Sequence, residues 1–62
     1  MNLSAQAWAL REAARASIAT GDFERGFELA AAAHGTQRSE AGEALLQLCQ
    51  WLKAESANRP GR

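Results

Sequence analysis

The chain has 62 residues, 47% of them hydrophobic but only 6% aromatic, and its seven basic and seven acidic side chains cancel to a formal net charge of zero. A chain this short makes one domain at most, and alanine supplies so much of its apolar content that the core per residue is thin, a composition that favours completion of burial against another chain. Zero net charge excludes the strong basic field of non-specific nucleic-acid binders, the single Cys49 excludes an internal disulfide and fits a reducing compartment, and no apolar run approaches the roughly 20 residues that span a bilayer.

The first element is a helix over about 4–20. Asn2 or Ser4 can cap it, the run from Ala5 to Ala19 contains neither Gly nor Pro, and Leu3, Ala7, Leu10, Ala14 and Ile18 recur at helical spacing. Thr20-Gly21 ends it, the glycine supplying a left-handed residue at the helix C-terminus. Asp22 then caps a second helix over about 22–34, with Glu24 in the first turn where the dipole favours an anion. Its apolar stripe is Phe23, Phe27, Ala30, Ala31 and His34, widened by Leu29 and Ala33, and Gly35 is expected to close it as Gly21 closes the first. The turn between the two helices is so short that they must be antiparallel neighbours.

After a loop from Gly35 to Arg38, Ser39 caps a third helix over about 39–55. Ala41, Ala44, Leu45, Leu48, Trp51 and Leu52 form its expected core stripe, with Glu43, Gln47 and Gln50 opposite. Counting Leu46 and Cys49, this helix is apolar over more than half its circumference, and two short helices can cover only part of that; the excess reads as an interface. Residues 56–62, "SANRPGR", read as a flexible tail, leaving 1–55 as the single folded domain. The opening "MNLSAQAW" has neither the basic nor the apolar segment of a secretory signal, so the expected location is cytoplasmic.

The turn "TGDFERG" places a glycine, an acidic cap and an aromatic in succession, and a shift of about 34 residues lays Leu10 over Ala44, Ala14 over Leu48 and Ile18 over Leu52. In this it resembles the tetratricopeptide repeat, with residues of roughly 5–38 as one unit and Ala41 to Glu55 as the first helix of a second unit or a cap. The family's signature residues are replaced: Leu10, Ala13, Ala14 and Ser17 stand where it favours Trp, Leu, Gly and Tyr, and Arg38 where it favours Pro. The resemblance implies an all-α fold, a tetratricopeptide-like antiparallel hairpin plus a third packing helix. A plain three-helix bundle is the alternative.

Trp8, Arg11, Arg15 and Ile18 share one face of the first helix. The resemblance implies that this face lines a concave, peptide-binding groove, with Leu45, Cys49, Leu52 and Lys53 presented beside it by the third helix. An apolar floor with three cations suits an amphipathic helix or an acidic extended peptide. The alternative is that Trp8 closes the bundle end and both arginines are solvated. His34 and Cys49 are the only soft metal ligands, too few for a structural zinc site, and nothing in their spacing pairs them as base and nucleophile. The expectation is a non-enzymatic protein without metal, cofactor, nucleic acid or membrane. It is expected to be an adaptor or accessory subunit that binds a protein partner, associates with itself, or both. A chaperone-like protein sequestering a helical segment of a secreted or toxic partner is the second reading.

Overall fold

A computed structural model describes residues 2–58 as three helices: α1 (Leu3–Ala19), α2 (Phe23–Thr36) and α3 (Glu40–Asn58). α1 and α2 form a closely packed antiparallel hairpin, α3 lies against α2, and α1 and α3 barely meet. The fold is all-α with three helices, and α2 is its spine.

Each helix start is held by the polar side chain before it. Asn2 Oδ1 accepts the Ser4 N–H at 2.8 Å, Asp22 Oδ1 that of Arg25 at 3.2 Å, and Ser39 Oγ that of Gly42 at 3.0 Å. These bonds satisfy donors that the first turn of a helix leaves unpaired. Between α1 and α2 the reversal takes three residues. Asp22 N–H donates to Ser17 O and Gly21 N–H to Ile18 O, both at 2.9 Å, with Gly21 at φ +87°. This is the Schellman pattern, and its left-handed position disfavours any residue with a Cβ. Open space surrounds that position, so Gly21→Val is expected to cost about 1–2 kcal/mol through backbone strain alone. Thermal melting followed by circular dichroism checks it, and an unshifted transition would show that the turn tolerates a side chain there.

Two helix ends differ from expectation. Gly35 does not reverse the chain; α2 continues through it to Thr36. The Thr36 hydroxyl donates to Ala32 O at 2.8 Å and Gln37 N–H to Ala33 O at 3.0 Å, so the helix end is bonded at these two carbonyls without a left-handed residue. α3 likewise runs on through Ser56, Ala57 and Asn58, which were expected in the tail; a helix already nucleated extends through such residues at little cost. The remainder of that expected tail, 59–62, lies outside the described residues.

The core is made of small side chains. Ala7, Ala14, Ala30, Ala33 and Cys49 are fully or almost fully buried, and Leu45 is the one large residue that joins them, at 7% exposure. Ala14 of α1, Ala30 of α2 and Leu45 and Cys49 of α3 form one cluster, flanked by Ile18, Phe27, Leu29 and Leu46. Gly26 sits where the three helices converge. A Cβ there would lie 3.0 Å from Ile18 Cγ1, 3.4 Å from Ala14 O and 3.8 Å from Cys49 Sγ.

This close approach also sets the rotation of α3. Of the expected stripe, Leu45 is buried and Leu52 half-buried, but Ala41, Ala44, Leu48 and Trp51 are exposed, and α3 turns Gly42 and Cys49 inward beside Leu45 instead. A Gly-Ala surface on α2 lets backbones come together, and small residues fit that gap where Leu48 and Trp51 do not.

Candidate functional site

Two anchors place the flanks of α1 and α3. The first is Arg11, whose Cδ lies 3.9 Å from where a Gly42 Cβ would stand, so the Arg11 flank of α1 is the one beside α3. Trp8, three residues before, and Arg15, four after, stand on the same side, as helical spacing requires. The second is Lys53, whose Nζ lies 4.6 Å from the centroid of the Phe27 ring, which turns that edge of α3 toward α2. Leu45, Leu48 and Leu52 lie on the opposite edge, the one toward α1. α1 and α3 hardly touch, so these two edges do not form a packed seam.

The expected site residues divide accordingly. Trp8, Arg11 and Arg15 share the α1 flank, and Leu45 and Leu52 belong to the α3 edge, Leu45 at its buried foot and Leu52 half-buried. Ile18 faces Gly26 and belongs to the helix packing. Cys49 is fully buried, because the approach to Gly26 leaves no access to its sulfur. Lys53 is turned away to the Phe27 ring, so of the three expected cations Arg11 and Arg15 alone share the α1 flank.

Among the described residues four large apolar side chains remain about half exposed or more: Leu3 at 56%, Trp8 at 58%, Leu48 at 46% and Trp51 at 59%. Leu48 and Trp51 were expected in the core, and they extend the α3 edge outward instead. Their surplus of apolar surface was visible in the sequence, but its direction depended on how α3 rotates.

The electrostatics of these edges are simple. Arg15 Nη1 holds Glu12 Oε2 at 2.6 Å, a surface ion pair between half-exposed side chains. Such pairs contribute about 0.2–1 kcal/mol and exchange partners readily. Ser4 Oγ bonds Gln37 Oε1 at 3.0 Å and ties the start of α1 to the loop before α3.

His34 and Cys49 do not form a site. His34 Nδ1 is buried without a hydrogen-bond partner and faces Gly42, whereas Cys49 Sγ faces Gly26. The seven-residue step along α3 from Gly42 to Cys49 separates them by roughly 10 Å along the helix, beyond direct proton transfer. Desolvation raises the Cys49 thiol above its ordinary 9.0, which disfavours the thiolate. Among the described residues no group of three or more His, Cys, Asp or Glu is placed to hold a metal ion, and no helix is long and apolar enough to cross a membrane.

Comparison with protein-family models, curated proteins and solved structures returned no match.

Proposed function

We propose that this chain is a small non-catalytic interaction module, an adaptor or accessory subunit, that binds a protein partner through the groove between α1 and α3. The observation that carries the reading is the exposure of both tryptophans and of Leu48 on a fold whose own core is chiefly alanine and glycine. Large aromatics beside arginines are the composition of binding hot spots, and small helical domains rarely leave such side chains in water without use. The non-catalytic part is supported by the placement of Cys49, which is inaccessible, raised in pKa and remote from His34. A cytoplasmic location is part of the same proposal, resting on the lone cysteine.

The test uses the full chain, tagged and recovered from its native cells with whatever it binds. Trp8→Ala is expected to weaken the recovered complex by about 2 kcal/mol or more with helix content unchanged. Glu24→Ala, on the exposed face of α2, is expected to change it by less than about 0.5 kcal/mol. A complex that survives Trp8→Ala and is lost with Glu24→Ala would move the interface to α2 and overturn the groove.

A further inference from the structure

α3 carries two parallel stripes with the same alternating spacing of three and four residues. The inner one is Gly42, Leu45, Cys49 and Leu52, and it lies against the rest of the fold. The outer one is Ala41, Ala44, Leu48 and Trp51, displaced by a single position and exposed at every residue. A three-four alternation is the spacing by which one helix receives another, so the outer stripe has the form of an unfilled helix seam.

Charge decides which helix fits it. The outer stripe is bounded by Glu40 and Glu55, and among the described residues of α3 the only cation, Lys53, is turned onto Phe27. Pairing α3 with α3 of a second copy therefore sets acid against acid, whether the helices run parallel or antiparallel. The α1 flank is the complement: Trp8 with Arg11 and Arg15, and with Glu12 already held by Arg15. In one molecule the α1 flank and the outer α3 stripe lie side by side, so two molecules facing each other about a two-fold axis can satisfy both pairings at once. The register agrees. Arg11 stands level with Gly42. An axis running between α1 and α3 at the level of Leu48 carries Glu55, seven residues on, to the level of position 41 of the other copy, beside its Arg11. The same axis carries Trp51 to the level of position 45, beside Arg15.

We propose that the occupant of this face is a second copy of the same chain, in an antiparallel two-fold dimer in which α3 of each copy covers the Trp8–Arg11–Arg15 flank of the other. This rests on the reading of the groove as a protein-binding face and names what fills it. The contact is isologous, so it closes at two copies and leaves no end for further growth.

Sedimentation equilibrium of the full chain over micromolar to sub-millimolar concentrations tests it. The expected species is twice 6.7 kDa, in concentration-dependent exchange with monomer. Arg11→Glu and Glu55→Arg each place like charges in both contacts, and each is expected to raise the dissociation constant by about tenfold or more. The two changes made together in one chain restore opposite charges and are expected to restore the dimer. Trp51→Ala, at a fully surface position, is expected to weaken it with helix content intact. That variant keeps the test decisive if Arg11→Glu disturbs the fold.

A helical chain that stays monomeric across the range overturns the dimer. If that monomer still binds another protein in a manner lost with Trp8→Ala, the groove reading stands and only the second copy fails. A dimer insensitive to both charge reversals yet lost with Leu48→Glu would mean that α3 pairs with α3, and species larger than two copies would exclude the two-fold arrangement.

Discussion

Gly26→Leu is expected to destabilise the chain by about 3 kcal/mol, the upper range for overpacking a core. At this position a first carbon would already stand 3.0 Å from Ile18 Cγ1, 3.4 Å from the Ala14 carbonyl and 3.8 Å from Cys49 Sγ. The carbonyl belongs to the α1 backbone and cannot turn aside, so three further carbons must push α1 or α3 off α2. Gly26→Ala is a different case: it gains about 1 kcal/mol of helix propensity, which offsets much of the tight contact with the adjustable end of Ile18. Alanine should therefore leave the transition within about 1 kcal/mol of the parent while leucine removes at least about a third of the stability, since a domain of this length has roughly 3–9 kcal/mol in all. Chemical denaturation of the two variants beside the parent measures the difference. Equal stability of Leu and Ala would show that the three helices do not converge at this turn.

Cys49 should resist alkylation in the native protein by about a hundredfold or more relative to the denatured chain, because reaction requires both exposure of the sulfur and loss of its proton. The side chain is fully buried, and desolvation raises its pKa above the ordinary 9.0. Labelling with iodoacetamide across a denaturant series, followed by mass spectrometry, reads the opening of the α2–α3 contact directly. Labelling at the denatured rate without denaturant would show that α3 is detached. The raised pKa also fixes a sign for pH. Its contribution to stability is fully present below 9.0 and is lost as pH rises above it, because the unfolded thiol ionises first. A stability that increased from pH 9 to pH 10 would contradict the burial of Cys49.

Much of the architecture could be read from local chemistry. Asn2, Asp22 and Ser39 mark the three helix starts, and Gly21 marks the one reversal that needs positive φ. These signals involve neighbours within a few residues, so the sequence contains them whole. The rotation of α3 is of another kind. Its apolar residues cover more than half the circumference, and periodicity cannot then choose which part faces inward. The choice falls to fit: Gly42 and Cys49 approach where Leu48 and Trp51 would hold the helices apart. Within the candidate site, the grouping of Trp8, Arg11 and Arg15 follows from spacing on one helix. The directions of Lys53 and Cys49 depend on Phe27 and Gly26 of another helix, which spacing along α3 does not encode.

The scant contact between α1 and α3 has a kinetic consequence. The α1–α2 hairpin closes through a three-residue reversal, so its loop-closure entropy is small and its contacts are local. α3 docks chiefly on α2, with Ala14 and Arg11 of α1 at the margin, and that surface exists once the hairpin has formed. Folding should therefore proceed in sequence order, with docking of α3 as the last step and its release as the first event in unfolding. Amide hydrogens of α3 between Leu45 and Trp51 should exchange with deuterium through this partial opening, while those of α1 and α2 around Ala14 and Ala30 wait for the whole chain to open.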